Sequence, residues 1–269
     1  IMAKPKLALI PATQGSKLYS VLPADGVGDF TFSRNSAATR INKDGLIETV
    51  AVGKSRLNYP LIDGVVNGCP SHLLEPSRLQ KIQYSEAFDN AYWTKNGSSV
   101  VSGFVSPKGD LSAFKLVENT STIAHFTGSG NITSSSGNTI TNSVFAKKGE
   151  HNYLVITLTD LTTGEVSATV NLENGTVVGG VSGSWTNTSV KIETFKNDWF
   201  KISLTGTQGA GTNIKTNYYI NQKASYQGDG TSGVYIFGAQ IEIGSFPTSY
   251  IPNYGTSAGI TRVAETANG

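Results

Sequence analysis

From residue 84 onward, apolar and polar residues alternate along most of this chain. In Lys201-Ile202-Ser203-Leu204-Thr205 every second side chain is apolar, the period at which a strand turns successive side chains to opposite faces. Similar runs predict strands at Ser98–Phe104, Ala113–Glu118, Ile123–Thr127, Asn142–Lys147 and Tyr153–Thr159. Others follow at Val166–Asn171, Ser189–Phe195, Trp199–Thr205, Thr216–Asn221 and Gly233–Ile243. Turn clusters such as Pro107-Lys108-Gly109-Asp110, Asn174-Gly175 and Gly228-Asp229-Gly230 separate them. Many short strands at this spacing predict a sandwich or barrel.

The pattern before that point is different. Residues 1–80 are broken by Asp25-Gly26, Gly28, Asp44-Gly45, Gly53, Asp63-Gly64 and Gly68, a density of turn signals that leaves room only for short strands. Phe30-Thr31-Phe32-Ser33 and Leu46–Val50 are two of them, and Asp44-Gly45 has hairpin-turn chemistry. The best helical signal is Ser85–Tyr92, with Ser85 as a cap and Phe88 and Tyr92 four residues apart. It predicts one or two helical turns or a compact loop. The stretch 255–269 is small and polar apart from Ile260 and Val263, and is expected to fray alone or to pack only against a neighbour. The resulting division is an irregular, short-stranded N-terminal region (1–80), an antiparallel β-sandwich (81–254) and a tail (255–269).

Composition narrows the class. With 38% hydrophobic residues spread over 269 positions the chain can bury a large core and is not disordered. A single cysteine, Cys69, rules out an intrachain disulfide. The formal charge is +2, with basic residues scattered among acidic ones, so no basic stripe marks a nucleic-acid surface. No apolar run is long enough to span a membrane. The first residues lack the apolar core of a signal peptide, so the expectation is a soluble chain made in a cytoplasm.

Catalytic constellations are sparse. His72, His125 and His151 are isolated, and Cys69 has only His72 nearby, which fits neither a zinc site nor an activated nucleophile. There is no Gly-x-Ser-x-Gly elbow and no phosphate-binding loop. A glycoside hydrolase needs only two carboxylates across a cleft, and Asp160, Glu165, Asp198 and Glu242 are available in number. Acidic residues here fall mostly at turns, however, and the expectation is a protein that is not an enzyme.

Three segments carry a resemblance. The first is Phe30–Asn42 with Gly45-Leu46-Ile47-Glu48, followed by Arg56-Leu57-Asn58-Tyr59-Pro60 and Cys69–Pro76. The second is Tyr84–Trp93. The third runs from Tyr226–Gly230 through Gly238–Glu242 to Tyr250-Ile251-Pro252, with Thr261-Arg262 after it. In this order they resemble structural proteins of tailed-bacteriophage particles (head fibres, decoration proteins or tail components) that carry a carbohydrate-binding-like jelly-roll domain.

The resemblance implies a virion component, docked on other capsid or tail proteins through its N-terminal region. It implies a homo-oligomer, with a trimer favoured, and a jelly roll displayed outward for adhesion to host-surface glycans. A free polysaccharide-binding module, or an accessory domain of a depolymerase, is the alternative. Sugar rings stack on exposed aromatic faces beside amides or charges, so Tyr92 with Lys95, Trp185 with Asn187, and Tyr226 with Gln227 are the candidate ligand residues. Trp185 is the tryptophan expected to be exposed, whereas Trp93 and Trp199 are expected in the core. No cofactor is required; Asp229, between two glycines, is the candidate ligand for a structural calcium. Tyr84–Trp93 and Gly238–Pro252 read as elements closing the sandwich, with ligand contacts in the loops between them.

Overall fold

A computed structural model describes residues 30–162 and 164–268, with the backbone of 13–14 and 17–18. The chain is all-β, its strands pair in antiparallel fashion, and among the described residues no helix is long and apolar enough to cross a membrane. It divides into two compact units. One gathers Ile1–Arg78, Thr248–Ile251 and Thr261–Gly269; the other comprises Leu79–Pro247 and Pro252–Ile260.

The first unit has the short strands that its turn density predicts. Phe30–Ser33 lies between Lys17–Leu18 and Thr266–Asn268 in a small antiparallel sheet. Ala38–Ile41 and Ile47–Val50 form a hairpin, in which the Asn42 side chain accepts the Asp44 and Leu46 amides at 2.9 and 3.0 Å. Such short ladders bury little apolar surface, and much of this unit's interior is ionic. Arg34, Arg56 and Arg262 are buried and meet the carboxylates of Glu75 and Glu265. The planar guanidinium fork can satisfy several acceptors at once, so each of these charges makes several hydrogen bonds where water is excluded. The tail does not fray: Glu265 is buried and Thr266–Asn268 pairs with Phe30–Ser33.

The second unit contains twelve main strands: β1 (Thr94–Asn96), β2 (Ser98–Phe104), β3 (Ala113–Glu118), β4 (Phe126–Gly128), β5 (Thr139–Lys147), β6 (Tyr153–Thr159), β7 (Glu165–Asn171), β8 (Thr176–Gly183), β9 (Thr186–Phe195), β10 (Trp199–Thr207), β11 (Asn213–Ile220) and β12 (Gly233–Ile243). One sheet has the order β1-β4-β11-β6-β7-β8 and the other β2-β3-β12-β5-β10-β9. The chain changes sheet repeatedly, keeping a local meander at β6-β7-β8 and hairpins at β2-β3 and β9-β10.

Alternation sets the core. Along β11, Ile214, Thr216, Tyr218 and Ile220 are buried while Asn213, Lys215, Asn217 and Tyr219 are half-exposed. Inward residues of both sheets, among them Leu116, Ile140, Ile156, Val170, Leu204 and Ile236, join in one apolar cluster. This makes the unit a sandwich.

Ser85–Tyr92 forms successive turns, with the Asn90 amide on Ala87 O at 3.1 Å and the Trp93 amide on Asn90 O at 3.0 Å. Ser85 does not cap a helix. Its hydroxyl and amide bond Asn253 instead, and Tyr84 bridges Tyr254. Trp93 is buried against Phe88 and donates its indole N–H to Tyr84 O at 2.8 Å.

Candidate functional site

The pairing of Tyr84 with Tyr254 creates a cleft of about 460 Å³ at the surface of the second unit. Its apolar lining is Ala87, Leu111, Phe114 and the rings of Tyr84 and Tyr254. Its polar lining is Glu86, Asp89, Asn90, Asn253, Ser102 and Ser112. Three pieces of chain therefore supply the cleft: the turns after Tyr84, the Asn253-Tyr254 segment, and the β2-β3 hairpin. Phe88 and Trp93 project into the core from the same turns and hold the carboxylates and amides between them in place.

Tyr254 is 70% exposed, unusual for so large a ring and the composition of a stacking surface. Its hydroxyl donates to Glu86 Oε1 at 3.2 Å, and Lys108 Nζ donates to Glu86 Oε2 at 2.9 Å. Burial and the neighbouring Glu86 charge both push the Tyr254 phenol up from its ordinary value. Burial would lower the Lys108 ammonium, but the bond and charge of Glu86 outweigh it and hold the group above its usual range. Lys108 also reaches Asp110 Oδ2 at 3.2 Å. Burial works against the charge of Asp110, yet bonds from Ser106, Ser112 and Lys108 keep that carboxyl at about 2. Each lysine close to the cleft has a partner, since Lys95 Nζ donates to Asn90 O at 3.1 Å. The lining itself contains two carboxylates and no basic side chain.

The residues singled out from sequence do not converge. Tyr92 is half-buried, edge-on to Trp93 at 5.5 Å, and burial pushes its phenol up to about 12. Tyr92 and Lys95 belong to the same stretch of chain as the cleft but not to its lining. Trp185 is buried at 6% exposure, against the expectation of an exposed ring. The small, polar residues around it belong to the β8-β9 connection, and the indole inserts beneath them into the sandwich core. Asn187 is exposed and donates to Thr207 Oγ1 at 3.2 Å. Tyr226 gives its hydroxyl to the buried Glu118 carboxylate at 2.5 Å, which His151 Nε2 also meets at 2.8 Å. Gln227 is exposed and bonds the Thr120 carbonyl.

Asp229 closes its own turn. Its Oδ1 accepts the Thr231 and Ser232 amides, both at 2.7 Å, and its Oδ2 accepts the Ser232 hydroxyl at 2.5 Å. These bonds, that of the Ser232 hydroxyl foremost, hold its carboxyl well below the usual range. Among the described residues no three His, Cys, Asp or Glu side chains are grouped to hold a metal ion.

The cleft residues were missed because they belong to segments read as closure elements. Those segments do close the fold, and they also line its surface opening. Pro252-Asn253-Tyr254, just after an apolar stretch, is the one local signal that could have marked an exposed ring.

No family model matches this chain, and no curated protein does. Among solved structures it is similar to the crystal structure of tailspike protein 4 of bacteriophage CBA120, described as its enzymatically active domain. The identity is 14% and the TM-score 0.37; the match covers 61% of this chain and 21% of that one. At that score the likeness carries no argument about activity. The expectation that the chain is not an enzyme is withdrawn: the solved structure to which it is similar is described as an enzymatically active domain, while a score of 0.37 assigns this chain no activity of its own.

Proposed function

We propose that this chain is a glycan-binding component of a tailed-phage tail, in which the second unit holds a polysaccharide in the Tyr254 cleft as an accessory to depolymerisation. The first unit, whose sequence resembles virion-attachment segments, docks on other particle proteins. One observation carries the reading: an exposed tyrosine stands over a cleft that also presents Glu86, Asp89 and Asn90. Sugar recognition requires an apolar face to receive the C–H side of a ring, and carboxylates and amides to bond the hydroxyls. A rigid sandwich offers both at fixed spacing, and many copies on one particle turn weak single-site binding into firm adhesion.

The test is a glycan array and titration of the intact chain beside Tyr254→Ala. Binding is expected to fall about tenfold or more with the ring gone, with thermal unfolding unchanged because the ring is exposed. Equal binding by both proteins would overturn the proposal. Release of reducing ends from a bound polysaccharide would extend the role of the same cleft from binding to cleavage.

A further inference from the structure

We infer that the cleft selects uncharged glycans and rejects acidic ones, so that the polysaccharide it holds lacks uronate, sialate, sulfate or phosphate along the bound stretch. The inference rests on the glycan-binding reading of the same cleft and names the class of sugar. Two of its lining residues, Glu86 and Asp89, carry carboxylates, and none carries a positive charge. The nearby cations are outnumbered: Lys108 pairs with Glu86 and Asp110, and Lys95 bonds the Asn90 carbonyl and attracts Asp89, two ammonium groups beside three carboxylates. An anionic sugar entering here would lose water and meet a net negative charge, with no ammonium in the lining itself to receive it.

An uncharged sugar faces no such penalty. Its hydroxyls donate to the exposed Asp89 carboxylate and to the Asn90 amide oxygen. Ala87, Leu111 and Phe114 suit a methyl or acetyl substituent. Specificity then comes from a repulsive element as much as from attraction.

Malto-, cello- and chitotetraose would be titrated into the full chain beside oligogalacturonate and hyaluronan tetrasaccharides, at low and high salt. At least one neutral member is expected to bind about tenfold or more tightly than either acidic one, with the gap narrowing as salt screens the carboxylates. Asp89 is exposed, so Asp89→Lys should fold, and it is expected to raise acidic-sugar affinity about tenfold. An acidic tetrasaccharide that binds the unaltered chain as tightly as the best neutral one overturns this inference alone. Silence across the whole panel, with Tyr254→Ala no different, overturns the glycan reading and this inference with it.

Discussion

Arg56 grips Glu265 with two nitrogens across 209 residues of chain, Nε donating to Oε1 at 2.7 Å and Nη2 to Oε2. Arg34 Nη1 shares Oε1 at 2.7 Å, and the Glu75 amide reaches Oε2 at 3.0 Å. Glu75 in turn accepts Arg262 Nη1 at 2.7 Å and the Ser249 hydroxyl at 2.6 Å. Five charged side chains thus join the two ends of the described chain. Small strands that cannot exclude much water on their own are tied by groups whose bonds become stronger once water is excluded.

Glu265→Ala is expected to destabilise the first unit by about 3–5 kcal/mol, because it leaves the buried Arg34 guanidinium without its counter-charge and Arg56 with Glu75 alone. Amide exchange in Ala38–Ile41 and Ile47–Val50 should accelerate, and urea unfolding should begin earlier. A chain truncated after Ile260 should behave in the same way. Unchanged protection in that hairpin would show that the cluster contributes nothing to its stability.

Acid should loosen this unit first. Burial acts to raise the Glu75 carboxyl, but the charges of Arg262 and Arg56, with the Ser249 bonds, outweigh it and leave the group below its ordinary value of 4.5. A carboxyl depressed in the folded state contributes stability that is complete above the unfolded value and is lost as pH falls through the folded one. Hairpin protection is therefore expected to stay level from neutral pH to about 5 and to fall below about 4.5. Glu75→Gln should flatten that fall at the cost of lower stability at neutral pH. A wild-type profile that declines already between about pH 7 and 6 would point to some other group.

Asn142 is the polar tie inside the sandwich. From β5 its Nδ2 donates to Thr216 Oγ1 at 2.6 Å and Thr157 O at 3.3 Å, while the Tyr218 hydroxyl donates to its Oδ1 at 3.0 Å. Asn142→Leu should cost about 2–4 kcal/mol, since it strands a buried phenol and packs a branched side chain in an amide's place. The double change Asn142→Leu with Tyr218→Phe should recover part of that loss, because both partners of the bond are then absent. Strict additivity in denaturant unfolding would refute the coupling.

Where local pattern and tertiary burial agree, the strands were legible. Ala113–Glu118, Tyr153–Thr159 and Gly233–Ile243 run as their residues predict, each with one face in the common core. Ile123–Thr127 breaks in two because His125 is fully buried with Nδ1 2.5 Å from Gly97 O, which bends the chain there. The cleft was illegible for a different reason. Glu86 and Tyr254 are 168 residues apart, and only the register that pairs Tyr84 with Tyr254 brings them together. Trp185 misled because its small, polar neighbours look like a loop, while packing against the sandwich decides where a ring of that size resides.

The edge strand β8 was also unforeseen, since Gly179, Gly180 and Gly183 interrupt any alternation. Two of these glycines separate backbone strain from close approach. Gly179 has φ +71° with nothing within 4 Å of an added Cβ, so Gly179→Ala should cost about 1 kcal/mol, the price of a left-handed alanine. Gly183 has φ +127°, and its Cβ would lie 2.0 Å from the Glu165 carbonyl oxygen across the β7-β8 pairing. Gly183→Ala must therefore push the strands apart at their junction and should cost about 3 kcal/mol or more. Urea midpoints at constant m-value measure both. Equal, mild losses would mean that β8 leaves β7 before Gly183, and that the pairing of Val166 with Gly183 is not part of the stable sheet.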